Sequence, residues 1–244
     1  MREHAWPQRN LARRLLAEFV GTLLLVTVVV GSGIAAQQLS PGDTGLQLLE
    51  NAVATAGGLV ALILALGPVS GAHLNPVVSA ADAWFGGLRW RDVPVYAGAQ
   101  VGGAIVGAVV ANVMFELDAV SWSTHARSSS GLWLGEVVAT LGLLLVIFGV
   151  VRSGRSSAAP FAVAAYIAGA YFFTSSTSFA NPAVTVGRAF SDTFAGIEPG
   201  SVPAFVVAQL AGGALGVALV RALHPEVRAI ADEVILPHPQ EQQP

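Results

Sequence analysis

Two Asn-Pro pairs are the residues of this chain best placed to do chemistry. Asn75-Pro76-Val77 and Asn181-Pro182-Ala183 lie within apolar stretches, where Asn is costly to bury and Pro breaks a helix by removing a donor. Both residue types are favourable at the start of a helix, because Asn caps free N–H groups and Pro at the first helical position loses no hydrogen bond. Each pair therefore predicts a helix that begins within a membrane, and two such starts suggest a pore.

The composition predicts an all-α membrane protein. Hydrophobic residues make up 54% of the chain and charged residues 11%, against about 25% charged in soluble domains. The 12 basic residues are all Arg and are spread between apolar segments, whereas a nucleic-acid-binding protein gathers them on one face. Cys is absent, and no nucleophile–base set, metal cluster or phosphate-binding loop stands out. We therefore expect neither an enzyme with catalytic residues nor a metal or other cofactor.

Apolar segments of two lengths predict the elements that position the Asn-Pro pairs. Two short segments, 75–86 and 181–190, begin at the pairs and reach half-way across a bilayer at about 1.5 Å per residue. They predict two re-entrant half-helices. A transmembrane helix needs about 20 apolar residues, and six segments meet that length: 13–36, 46–67, 93–115, 131–152, 159–177 and 202–223.

Paired polar residues show that the chain repeats itself. Glu18 and Glu136 lie near the start of the first and fourth spans, and Gln100 and Gln209 lie in the third and sixth. A three-span unit enters the membrane from the opposite side in its second copy, which predicts an inverted 3+3 repeat with interrupted helices that point at a midplane site. The expected organisation is an N-terminal segment, a first repeat, an external loop, a second repeat and a tail, at 1–12, 13–115, 116–130, 131–223 and 224–244.

The positions of the arginines predict the orientation. In this topology ten of them lie on one side of the membrane, and only Arg127 and Arg188 lie on the other. Because Arg is enriched in cytoplasmic loops, we expect a multi-pass inner-membrane protein with both termini in the cytoplasm. Glu18 and Glu136 are expected to hold the re-entrant loops by accepting their backbone N–H groups, which protein must satisfy at membrane depth.

The segment Ser70-Gly71-Ala72-His73-Leu74-Asn75-Pro76-Val77 resembles the first signature of the aquaporin, or major intrinsic protein, family, whose usual form ends in Asn-Pro-Ala. Asn181-Pro182-Ala183 matches the second signature, and the resemblance covers nearly the whole chain. It implies an aquaporin-like fold, a homotetramer in membrane lipid with one pore per subunit, and small neutral solutes as partners. Each half-helix start carries about half a positive charge, and the amides of Asn75 and Asn181 would donate to the solute and interrupt a proton wire.

The chain departs from the family where most members carry a filter Arg, because Val184 stands there. Carried over by counting from the two Asn residues, the resemblance implies a filter of Thr55, Gly169, Ser178 and Val184. This set has no aromatic and no charge, so we expect a wide constriction that is less polar than that of a water channel. Members with Val here resemble bacterial channels linked to arsenic resistance, which implies arsenite, As(OH)3, and methylated arsenicals as solutes beside glycerol and some water.

Two site residues keep alternative interpretations. His73 either lines the cytoplasmic half of the pore or packs against the loop backbone. Arg188 lies one helical turn beyond Val184, where it either attracts anionic solutes at the external mouth or pairs with Asp192 or snorkels to the interface.

Three other functions compete with a metalloid channel. The first is a water and glycerol facilitator with no metalloid role. An ion-coupled secondary transporter also uses inverted repeats, although its coupling residues would be expected deeper in the membrane than Glu18 and Glu136. A non-conducting junction protein would need longer external loops than this chain offers.

Overall fold

The computed structural model describes residues 11–224, so most of the predicted N-terminal segment and nearly all of the predicted tail lie outside the described residues. This part of the chain forms eight α-helices and no strand. Six of the helices are long and apolar enough to cross a membrane. In chain order the helices are α1 Leu11–Leu39, α2 Thr44–Ser70, α3 Pro76–Phe85, α4 Val93–Met114, α5 Ser130–Arg152, α6 Ala159–Phe173, α7 Pro182–Arg188 and α8 Val202–Leu223.

The two short helices, α3 and α7, begin at the Asn-Pro pairs. Asn75 and Asn181 are their N-caps, both with extended backbone, and a Pro follows each cap at the first helical position. Helix α2 ends before Gly71, at φ 93°, and α3 ends before Gly86, at φ 102°. Only glycine adopts such left-handed angles at little cost, so the chain turns sharply there and re-enters the layer.

The helices pack as two inverted repeats. The most extensive contact in the first repeat is between α1 and α4, and its counterpart in the second is between α5 and α8. Each half-helix contacts both α4 and α8, so the two repeats share the helices that frame the centre. The helices and their contacts confirm six spans and two half-helices in the predicted arrangement.

Two names for the faces of this bundle are used below. The terminal face is the side on which α1 begins and α8 ends. The loop face is the opposite side, which carries the connection 115–129 between α4 and α5. The loop before α3 returns to the midplane from the terminal face, and the loop before α7 returns from the loop face.

The largest difference at a single helix end is that of α6, which ends at Phe173 rather than at 177. The Thr174 side chain donates to the carbonyl of Ala170 at 2.7 Å, and the backbone becomes extended at Thr174. Hydroxyl side chains of this kind compete with helical hydrogen bonds. The segment 174–181 is therefore an irregular loop that descends to the midplane, although its composition resembles that of a helix end.

Candidate pore

The two re-entrant loops are tied together where the half-helices begin. The side-chain amide of Asn75 donates to the carbonyl of Ala180 at 2.8 Å, and that of Asn181 donates to the carbonyl of Leu74 at 2.7 Å. Each Asn oxygen meanwhile accepts backbone N–H groups of its own helix, from Val77 in one case and from Ala183 and Val184 in the other. An Asn amide carries two N–H donors, so each side chain keeps one for a solute.

Glu18 holds the first re-entrant loop from inside the bundle. Its carboxylate, which is fully buried, accepts the backbone N–H groups of His73 at 3.0 Å and Leu74 at 2.7 Å. It also accepts the hydroxyl of Ser70 at 2.6 Å and the amide of Gln100 at 2.7 Å. Bonds to an ionised acceptor are about twice as strong as neutral ones, so one side chain satisfies much of the loop.

Glu136 repeats this arrangement in the second half of the chain. It accepts the backbone N–H groups of Phe179 at 2.9 Å and Ala180 at 2.8 Å, and the amide of Gln209 at 2.6 Å. Gln209 also donates to the hydroxyl of Thr185 at 2.8 Å, as Gln100 does to Ser79 at 3.0 Å. Both glutamates are thus tied to backbone in loops at membrane depth.

These bonds hold backbone that is otherwise unfavourable. Ala72 and Leu74 precede Asn75 with φ of 44° and 49°, and Ser178 and Ala180 precede Asn181 with φ of 50° and 49°. The positions are the same relative to each Asn, so the strain is a feature of the repeat. A non-glycine residue in this region costs about 1–2 kcal/mol, which the charge-assisted bonds to Glu18 and Glu136 offset.

A cavity of about 90 Å³ passes both Asn residues, which is several times the ~10–15 Å³ that one water needs on the same measure. One wall is apolar and comes from the long helices, for example Leu59, Ile63 and Ile147. The opposite wall comes from the two re-entrant loops and includes Gly71, which has only backbone to offer. Such an amphipathic lining suits a solute with both carbon and hydroxyl groups.

The structure brings three of the four expected filter residues to this cavity. Thr55, Ser178 and Val184 line it, and Gly169 does not. Gly169 is exposed on the far side of α6, because Ile167 and Tyr171 occupy the face that turns inward. Residues four apart share a helix face, and a residue midway between them points away.

Tyr171 corrects the expected filter composition. Its hydroxyl lies 3.1 Å from that of Thr55, across the gap between α6 and α2. The cavity wall therefore carries the Tyr171 ring where counting from Asn181 placed a glycine. Ser178 lines the same cavity, and its buried hydroxyl has no hydrogen-bond partner among residues 11–224.

His73 lines the half of the cavity that opens toward the terminal face. Its ring is held on both sides by α3, since Nδ1 lies 3.1 Å from the Ser79 hydroxyl and Nε2 lies 3.4 Å from a carboxylate oxygen of Asp82. His73 therefore lines the cavity while its ring contacts side chains of α3. Its role in the pore stays a prediction.

Arg188 lies in the half of the cavity toward the loop face, and it is only 2% exposed. It does not pair with Asp192, which instead accepts the backbone N–H of Thr124 at 2.8 Å and the hydroxyl of the same residue at 3.0 Å. These bonds hold the pKa of the Asp192 carboxyl below its usual range. Arg188 also does not snorkel outward, because its Nε donates to the carbonyl of Ala195 and its guanidinium stacks on Phe179.

Comparisons with known proteins agree with this geometry. The family model described as "MIP: Major intrinsic protein" matches residues 5–178. Aquaglyceroporin AqpS of Rhizobium meliloti (strain 1021) is 48% identical over 221 residues, which cover 91% of this chain and 94% of that protein. The chain belongs to the major intrinsic protein family.

Other members of the major intrinsic protein family are more distant. Aquaporin NIP2-1 of Oryza sativa subsp. japonica is 32% identical over 197 residues, which are 77% of this chain and 64% of that protein. The X-ray structure of the aquaglyceroporin from Plasmodium falciparum matches with a TM-score of 0.68 at 22% identity and covers 90% of this chain and 100% of that one. The likeness to this structure shows the same fold. Major intrinsic proteins of this kind are channels and not enzymes, so the chain is a multi-pass membrane channel.

Some residues that line or support the cavity were not predicted from the sequence. Tyr171 carried a weak signal, as a hydroxyl-bearing ring within an apolar span. Ser79 and Thr185 carried a stronger one, because a hydroxyl residue stands four positions after each Asn of the repeat. Phe179 carried none, since its contact with Arg188 depends on the course of an irregular loop.

Proposed function

We propose that the chain is a passive channel for small uncharged solutes that carry several hydroxyl groups, with arsenite, As(OH)3, and glycerol as its main substrates and some water beside them. The observation that carries this proposal is the amphipathic cavity past Asn75 and Asn181, with the uncharged Val184 beside it. Hydroxyls of the solute meet amide and hydroxyl groups on one wall, and its apolar parts meet aliphatic side chains on the other. As(OH)3 resembles glycerol in size and hydroxyl number, so the same wall serves both.

The name of the relative AqpS supports the glycerol part of this proposal, since that protein is called an aquaglyceroporin. The metalloid part rests on Val184 and on the surrounding small residues, which leave room for a trihydroxylated solute. Tyr171 places a ring in the cavity wall where the sequence predicted a glycine, and its hydroxyl offers the solute a polar contact.

Flux measurements on the purified chain in proteoliposomes test the proposal. We expect glycerol and As(OH)3 to equilibrate much faster than in empty vesicles, without saturation and without sensitivity to an ionophore that abolishes ion gradients. Saturable, ionophore-sensitive flux would indicate a coupled carrier instead. Flux of water and glycerol without As(OH)3 would reduce the function to that of a simple facilitator.

Substitution of Val184 tests the role of the filter. Val184→Arg should lower glycerol and As(OH)3 flux by about tenfold, equivalent to about 1.4 kcal/mol, while water flux falls less, because the longer side chain fills part of the cavity that Val184 lines. Val184→Thr keeps the volume and serves as the control, with solute flux close to that of the unaltered chain. An unchanged ratio of glycerol to water flux in Val184→Arg would contradict a wide filter.

We also propose a homotetramer with one such pore in each subunit, as the family resemblance implies. Native mass spectrometry from detergent should give the mass of four chains, and a stable monomer that conducts would contradict this assembly.

A further inference from the structure

Arg188 is a buried cation inside the pore. It lines the cavity, and only 2% of its surface is exposed. The guanidinium is held flat by two contacts: its Nε donates to the carbonyl of Ala195, and its Cζ lies 3.4 Å from the centroid of the Phe179 ring. Such stacking is a preferred arrangement for Arg on an aromatic face.

The charge of Arg188 has no direct partner within the described residues. No carboxylate lies within 4.0 Å of its guanidinium in residues 11–224. Glu136 in the same half is occupied by two backbone N–H groups and by Gln209. A buried charge without an ion pair is costly, so its retention inside a channel needs a reason.

The donors of Arg188 that remain free are those at its tip. Arg has five N–H donors, and the bond to Ala195 uses only the one on Nε. The two Nη atoms make no hydrogen bond within residues 11–224. Because the side chain lines the cavity, these donors are available to a solute oxygen. Ser178 lines the same cavity, and its hydroxyl is unpartnered within residues 11–224.

The position of Arg188 in α7 places this charge one turn beyond Val184. Residues four apart lie on the same helix face, and both side chains line the cavity. Val184 is thus nearer the midplane and Arg188 nearer the loop face. The pore keeps a fixed positive charge, displaced by one helical turn from the position that Val184 occupies.

We propose that Arg188 is the charge-selecting residue of this pore: it donates to an acceptor oxygen of a passing neutral solute, together with Ser178, and repels cations of the same size. The inference rests on the proposed channel function and adds the class of solute that the site rejects. A positive charge in a narrow channel of low dielectric raises the barrier for a cation much more than for a neutral isostere.

Arg127 provides the matched comparison. Its Nε donates to the carbonyl of Gly196 at 2.9 Å, and its Cζ lies 5.0 Å from the same Phe179 ring. Both arginines thus donate to neighbouring carbonyls of one loop and lie over the same aromatic ring. Arg127, however, is not among the residues that line the cavity. If the role were purely structural, the two arginines would share it. A charge-selecting role belongs to Arg188 alone, because only Arg188 of the two lines the cavity.

The test compares urea with guanidinium, which have the same planar shape and differ in charge. Both permeabilities are measured in proteoliposomes for the full chain, Arg188→Gln, Arg188→Lys and Arg127→Gln. We expect the full chain to pass urea and exclude guanidinium. Arg188→Gln should raise the guanidinium-to-urea ratio at least about tenfold, equivalent to about 1.4 kcal/mol, whereas Arg188→Lys and Arg127→Gln should keep the low ratio of the unaltered chain.

A double substitution asks whether the charge can be moved back by one turn. Val184→Arg with Arg188→Val should restore the exclusion of guanidinium that Arg188→Gln loses. Urea flux reports whether each variant is folded, and Arg188→Met replaces Arg188→Gln if the latter gives no urea flux. The inference is overturned if the full chain passes guanidinium as readily as urea, if loss of the Arg188 charge leaves the ratio unchanged, or if Arg127→Gln raises it equally. Absence of urea and glycerol flux in the full chain would instead contradict the channel function.

Discussion

At the scale of single residues, the pore depends on polar groups that are buried in pairs. Each Asn caps its own half-helix and binds the loop of the other repeat. Each Glu accepts the backbone N–H groups of one loop and a Gln from the third span of its repeat. The two loops thus share the same four kinds of contact, so a defect in one repeat has a counterpart in the other.

Glu18→Gln should be strongly destabilising. The new amide would point N–H groups at donors of Leu74 and Gln100, and each unsatisfied buried donor costs about 1–3 kcal/mol. We expect the apparent Tm in detergent to fall by roughly 5–10 °C, with solute flux lost at temperatures where the unaltered chain conducts.

Glu50→Gln is the control for this substitution. Glu50 is half-buried and accepts one hydroxyl, that of Ser40 at 2.8 Å. The Tm of the Glu50→Gln variant should stay close to that of the unaltered chain. Equal Tm values for the two variants would show that Glu18 does not hold the loop.

At the scale of elements, glycines permit α1 and α4 to approach closely. Gly103 and Gly107 of α4 lie against the backbone carbonyls of Phe19 and Leu23 in α1, with no room for a Cβ atom. Gly212 of α8 lies in the same way against α5, at Val137. Small residues of this kind are the usual means of close packing between membrane helices. They set the spacing of the framework on which the half-helices rest.

Gly107→Ala should therefore destabilise the bundle, because the added methyl group meets the Leu23 carbonyl, and overpacking costs about 1–3 kcal/mol. Gly98→Ala in the same helix is the control, since Gly98 is exposed and a Cβ there meets nothing within 4 Å. It should be neutral or more stable by up to about 1 kcal/mol, because Ala is the better helix former. Thermal unfolding in detergent measures both, and equal effects would rule out a close α1–α4 contact.

At the scale of the whole molecule, the arginine distribution predicts the orientation in the membrane. The terminal face carries Arg89, Arg91, Arg152 and Arg155 in its connections, and the loop face carries Arg127. By the positive-inside bias the terminal face should be cytoplasmic, which would place Arg188 and the Tyr171–Thr55 pair toward the outside. Solutes from outside would then meet the charge-selecting position before the Asn pair.

Reporter fusions at the C-terminus test this orientation. If the C-terminus is cytoplasmic, we expect a fused fluorescent protein to be bright and a fused alkaline phosphatase to be inactive. Adding arginines to the connection 115–129 should weaken this bias, since the charge difference between the faces would shrink. Active phosphatase on the unaltered chain would contradict the predicted orientation.

The sequence by itself determined the six spans, the two half-helices and the repeat, because hydropathy, length and helix capping act locally. Asn75 and Asn181 predicted the starts of the half-helices, and the paired Glu and Gln residues predicted the repeat. Only the tertiary structure decided that Tyr171 rather than Gly169 faces the lumen, and that Arg188 stacks on Phe179 inside it. Counting back from Asn181 crosses the irregular segment 174–180, where the rise and rotation per residue are not those of a helix. The side of α6 that faces the pore depends on its rotation against α2, which is set by packing between distant segments.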